Sequence, residues 1–195
     1  FTLVFDLRRG FAELVYLGGR LPAGEVLESL CDAARRAPHE NAPDQPVPAS
    51  IMPLAHTGYL GMPLLEVLRG ARLAVLQPEA VWLRSGRGAD PAREFVVGMT
   101  DTAAGVTIES RWQVRDSGVI AIEQRIALES GEPVTVLRAA SLVLPLPRWV
   151  SRMTQHRGRW SAEMQARHST LTDTPRSGGS SRGGRSGFSG GQWLI

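Results

Sequence analysis

Period-two alternation across residues 105–144 constrains the fold more than any other feature of the chain. In Gly105–Arg115, Val106, Ile108, Trp112 and Val114 alternate with Thr107, Glu109, Arg111, Gln113 and Arg115. Successive side chains of a strand point to opposite faces, so this pattern predicts one buried and one wet face. Asp116-Ser117-Gly118 supplies a turn whose glycine tolerates positive φ. Val119–Leu128 reads as a second strand, burying Ile120, Ile122, Ile126 and Leu128. After the turn Glu129–Pro133, Val134–Leu144 reads as a third. The expected product is an antiparallel three-strand meander with Ile108, Trp112, Ile122 and Ile126 turned into the core. Pro145 and Pro147 end the run, because proline cannot donate to a ladder.

The preceding residues fit the same class. Phe1–Leu7 and Phe11–Leu17 read as strands joined through Arg8-Arg9-Gly10, with Gly18-Gly19 closing the hairpin. Both faces of this pair are rather apolar, which suits a two-layer sandwich. Ala23–Arg36 reads as one helix, since Val26, Leu27, Leu30, Cys31 and Ala34 recur at helical spacing, and Pro38 stops it. Residues 37–58 hold five of the thirteen prolines and read as an extended, ordered loop wrapping the surface, with a flexible linker as the alternative. Residues 58–76 show no clean pattern. Glu79–Arg84 and Phe95–Met99 are short strands. Eight or nine strands, one short helix and long loops predict an all-β sandwich.

Charge is unevenly placed. All 22 basic residues are arginine, which points to a GC-rich bacterial genome rather than to a physical demand. Residues 1–147 carry 14 Arg against 17 acidic residues, while residues 148–195 carry 8 Arg against Glu163 and Asp173 alone. The net charge of +3 therefore belongs to the C-terminal quarter, and a polyanion or an acidic neighbour would answer it. Residues 175–191 are almost wholly Gly, Ser and Arg, and cannot bury enough apolar surface to offset their ordering entropy. They are expected to form a disordered, mobile tail. Gln192-Trp193-Leu194-Ile195 shows no partner in the sequence. No apolar run reaches the ~20 residues a membrane helix needs, and no secretory leader is visible. The chain opens on Phe1, as a segment of a longer chain would. The one cysteine, Cys31, has no internal disulfide partner and suits a reducing, cytoplasmic compartment.

No catalytic constellation emerges from the residues. His39, His56, His156 and His168 are scattered and give no metal-ligand spacing. No glycine loop opens a helix, and no carboxylate pair can be assigned. Neither a metal nor a cofactor is expected. The strongest local signal is His156-Arg157-Gly158-Arg159-Trp160. Trp160 offers a flat apolar face on which a sugar can stack, and Arg159 a forked donor for hydroxyls. Equally, Trp160 could cap the sandwich with its arginines solvated.

At these residues the chain resembles a known family. Arg157-Gly158-Arg159-Trp160-Ser161, with Glu163, Gln165, Arg167 and Leu171-Thr172, is similar to the end of the N-terminal domain of bacterial α-galactosidases of glycoside hydrolase family 36. Val15-Tyr16-Leu17-Gly18, residues 46–54 and Leu142–Pro147 resemble the family in the same order. The resemblance covers residues 1–172. It implies a large two-layer supersandwich of the galactose-mutarotase-like group, followed in the full enzyme by a (β/α)₈ barrel. That barrel carries two catalytic aspartates, as a retaining glycosidase requires, so residues 1–195 hold no catalytic residue. Trp160 and Arg159 would lie at the sugar site. The partners implied are α-galactosides, the chain's own barrel and further copies in a homo-oligomer, with neither nucleic acid nor membrane. After Thr172 the pattern departs from the family, and residues 173–195 read as a low-complexity tail. The competing readings are a free-standing carbohydrate-binding or oligomerisation module, and an RNA-associated protein using the Arg-Gly tail.

Overall fold

A computed structural model of the chain describes residues 2–35, 47, 49–59, 61–85, 93–129, 132–146, 150–159, 162–170 and 191–193. They form an all-β sandwich with one α-helix. The elements are β1 (Thr2–Asp6), β2 (Glu13–Gly18), α1 (Leu27–Ala34), a single 3₁₀ turn (Ala55–Thr57), β3 (Leu65–Arg69), β4 (Arg72–Ala74), β5 (Ala80–Ser85), β6 (Glu94–Asp101), β7 (Val106–Val114), β8 (Ile120–Leu128), β9 (Val134–Ala139), β10 (Arg152–Arg159), β11 (Ala162–Thr170) and β12 (Gly191–Trp193). Two compact units result, Phe1–Pro145 and Leu146–Ile195.

In the first unit, β5-β6-β7-β8 form an antiparallel sheet, β4-β3-β9 a second, and β1-β2 a hairpin. The alternation in β7 does what it predicts: Val106, Ile108 and Trp112 are buried between the layers, beside Val97 and Met99 of β6 and Leu65 and Val67 of β3. Ile122 and Ile126 of β8 are partly buried against this core. Gly118, at φ 80°, makes the β7–β8 turn, a conformation L side chains rarely adopt. Phe5 of β1 reaches the same core. Its ring lies 5.5 Å from those of Phe95 and Trp112, and Phe95 and Trp112 stack at 5.9 Å. The Trp112 Nε1–H donates to Ser110 Oγ at 2.9 Å, and Gln124 Nε2 donates to the same oxygen at 2.8 Å. Burying these polar atoms is tolerable because each finds a partner.

The expected meander is the main correction. β9 does not pair with β8. It crosses to the other layer and pairs antiparallel with β3, from Leu65↔Ala139 to Arg69↔Val134, with a bulge after Glu66. Arg138 Nε donates to Glu66 Oε2 at 3.1 Å and helps hold that register. Alternation states which face of a strand is apolar but not which strand lies beside it, and β9 ends at Ala139 rather than Leu144. Leu128, expected inside, is 42% exposed at the end of what is now an edge strand.

Other differences have local causes. The helix is shorter than Ala23–Arg36: Gly24 at φ 93° and the Glu25 N–H to Pro22 carbonyl bond make a turn where its start was expected. Val26 and Leu27 are exposed, and Cys31 is the helix's one buried side chain. Ile51-Met52-Pro53-Leu54, read as part of a surface loop, fills the core instead, each residue at most 2% exposed. The Ile51 N–H donates to the Ala12 carbonyl and the Leu64 N–H to the Pro53 carbonyl, which tie this segment between β2 and β3. β3 and β4, around Gly70, are too short to show a period. The rest of the 37–58 loop falls largely outside the described residues, as do tail residues 171–190.

The second unit is a three-stranded antiparallel sheet, β11-β10-β12. From sequence this region shows only the polar-aromatic segment His156–Trp160 and the tail at residues 173–195, with no strand pattern. Gln192 and Trp193, expected without a partner, pair with Gln155 and Thr154 of β10, and Gly191, expected in the mobile tail, pairs with His156.

Candidate functional site

The segment singled out in the sequence lies on a hairpin. β10 and β11 run antiparallel from Arg152↔Thr170 to Arg159↔Ala162, with an irregularity between Arg157 and Arg159. The hairpin thus carries Arg159 to its far end. Trp160 and the side chain of Arg159 lie outside the described residues. On the described part, Thr154 Oγ1 and His168 Nδ1 lie 2.9 Å apart across the two strands. Met164 has φ 56°, a left-handed conformation uncommon outside glycine.

His56 sits in the first unit against Phe11, ring centroids 6.2 Å apart, and burial pushes its pKa below the ordinary imidazole value. His156 and His168 lie on β10 and β11, and His39 is outside the described residues. No group of three or more His, Cys, Asp or Glu among the described residues is placed to hold a metal ion.

A second polar surface, which reasoning from sequence treated only as the wet side of the strands, is ordered. The outer face of β5-β6-β7-β8 forms a shallow groove of ≈ 390 Å³ lined by Arg84, Glu94, Glu109, Arg111, Glu123 and Arg125 among others. Glu109 accepts from Arg84 Nη2 at 2.5 Å and from Arg125 Nη1 at 3.3 Å. Glu94 accepts from Arg111 Nη2 at 2.7 Å and from Gln113 Nε2 at 3.1 Å. Trp82 lies across Gly98, where an added Cβ would meet the indole at 2.0 Å. The Arg84 guanidinium covers the ring, 4.0 Å from its centroid, a cation–π arrangement. The groove is a hydrogen-bonding surface, and Arg84 of its lining covers Trp82.

The chain matches the model of the glycosyl hydrolase family 36 N-terminal domain over residues 10–195. The chain belongs to this family. No curated protein and no solved structure matches it. In this family-36 N-terminal domain the strand pattern of β6–β8 is legible from the residues. The charge-paired groove carried only a weak signal: acidic and basic residues alternating along the wet faces of β7 and β8, at Glu109, Arg111, Glu123 and Arg125.

Proposed function

We propose that this family-36 accessory domain belongs to an α-galactosidase, which in full-length form removes terminal α-galactosides. The carrying observation is the family match over residues 10–195, joined to the Arg157-Gly158-Arg159-Trp160-Ser161 segment at the β10–β11 hairpin. In this reading the catalytic carboxylates come from the barrel of the full enzyme, as the two-carboxylate chemistry of glycosidases requires. The domain shapes the sugar site, with Trp160 stacking on the apolar side of galactose and Arg159 donating to its hydroxyls. It also provides oligomer contacts. The reading carries with it a bacterial source, a cytoplasmic location, and neither nucleic-acid nor membrane partners.

The test uses a chromogenic α-galactoside. The 195-residue chain is expected to give no turnover above a heat-treated control, and the full-length enzyme to turn over. In the full-length enzyme, Trp160→Ala should weaken substrate binding by about 1–3 kcal/mol, the scale of one aromatic contact, with the melting temperature nearly unchanged. Hydrolysis by the chain alone would overturn the accessory role. A collapse in melting temperature with normal KM would make Trp160 a packing residue.

A further inference from the structure

β8 is an edge. Among the described residues it pairs with β7 alone, and no other backbone hydrogen bond reaches residues 120–128. Alternate residues of an edge strand aim N–H and C=O groups outward with nothing to meet them. Natural edges are usually short, or guarded by proline, lysine or a bulge. β8 is nine residues long and has none of these. Its core-facing Ile120, Ile122 and Ile126 are only partly buried, and Leu128 is exposed.

The order of its residues is self-complementary. The strand reads Ile120-Ala121-Ile122-Glu123-Gln124-Arg125-Ile126-Ala127-Leu128. We propose that β8 is a docking strand for a second copy of this chain, paired antiparallel about a two-fold axis through Gln124. In that register Glu123 faces the second copy's Arg125 on the outer face, and Arg125 faces its Glu123. Ile122 meets Ile126 on the inner face, Ile120 meets Leu128, and Ala121 meets Ala127. A two-fold contact must bring each patch against itself, and opposite charges at directly facing positions favour the pair. The local charges suit it as well. Glu123 makes no ion pair among the described residues, and Arg125, its side chain 73% exposed, shares Glu109 with Arg84. Gln124 Nε2 donates to Ser110 Oγ and to the Ser141 carbonyl, which fixes the residue at the axis. The opposite edge, β5, is shorter and carries a single charge, Arg84, so it offers no such match. The product is one sheet running through both copies, as in β-strand addition generally. The inference stands on β8 and not on the sugar reading, although it gives the expected oligomer a named surface.

The test is sedimentation and cross-linking of the full 195-residue chain, with variants at Ala121 and Ala127. These two face Gln113 and Thr107 across β7, so a new charge there stands directly opposite no charge of its own chain. The wild type should sediment as a dimer. A121K/A127K should be monomeric, with Lys facing Lys twice, and A121E/A127K should dimerise again, with a circular dichroism spectrum like the wild type in both. Under mild oxidation A121C/A127C should form a covalent dimer, while A121C and A127C alone should not. Within one chain the two positions lie about 20 Å apart along the strand, too far for a disulfide. A wild type that is monomeric at every concentration overturns the proposal. So does a dimer that survives A121K/A127K and is not trapped by A121C/A127C. Activity of the full enzyme plays no part in these readouts, so this proposal and the galactosidase reading can fail separately.

Discussion

Asp6 shows how one side chain can hold a segment. It is 4% exposed at the end of β1, and Arg8 encloses it. The Arg8 backbone N–H and Nε donate to Oδ1 at 3.0 and 2.9 Å, and Nη2 to Oδ2 at 2.8 Å. Arg35 adds a longer contact at 3.8 Å, just past α1. The hydrogen bonds from Arg8 lower the Asp6 pKa to about 2, against an opposing push from burial. The sign follows from linkage. A carboxylate with a depressed folded pKa stabilises fully above its unfolded value near 3.8, and that contribution disappears as pH falls towards 2. Its size is about 2 kcal/mol. Asp6→Asn should therefore lower stability by about that amount at neutral pH and flatten the loss between pH 4 and pH 2. Urea melts of both proteins across this range check it, and parallel acid limbs would show that Asp6 is not the group responsible.

At the scale of elements, β5 and β6 meet through an absence. Gly98 faces Trp82 across the ladder, and the indole occupies the space of a side chain. Gly98→Ala should push Trp82 outward, break its stacking with Arg84 and cost about 1 kcal/mol, the low end of overpacking because a half-buried ring can swing. A red-shifted tryptophan emission with a small drop in melting temperature is the expected result; an unchanged spectrum would mean the ring does not rest there. No pattern in the sequence announces this contact, because a glycine in a strand can equally mark a bulge. β7 was legible because Val106, Ile108 and Trp112 repeat cleanly over nine residues. β3, with five residues, and β4, with three, offer no room for a period. Residues 51–54 are placed wrongly from sequence because Pro46, Pro48 and Pro53 suggest a surface loop, although Ile51, Met52 and Leu54 stand beside them. The partner of β9 lay beyond any local pattern, since pairing between strands is decided by the whole core. Of the candidate site, Trp160 lies outside the described residues, and the groove depends on cross-strand neighbours that only the register of β5–β8 brings together.

For the whole molecule, the cluster of Phe5, Phe95 and Trp112 sets an order of events. β6, β7 and β8 are consecutive and joined by tight turns, so their contacts close short loops at low entropic cost. Phe5 arrives from the far end of the first unit, and β9 must leave its neighbour β8 to find β3. Contacts of such long range form slowly. The β6–β8 sheet should therefore be built in the folding transition state, with β1 docking after the barrier. Ile108→Val should slow refolding, and Phe5→Leu should chiefly hasten unfolding. Stopped-flow chevrons of the two variants decide the point, and a reversed pattern would place the beginning of the chain in the nucleus. If the order holds, the growing chain exposes an incomplete apolar layer until its first strand returns. The grip of three aromatic rings then acts as a latch, closing last and, during unfolding, opening first.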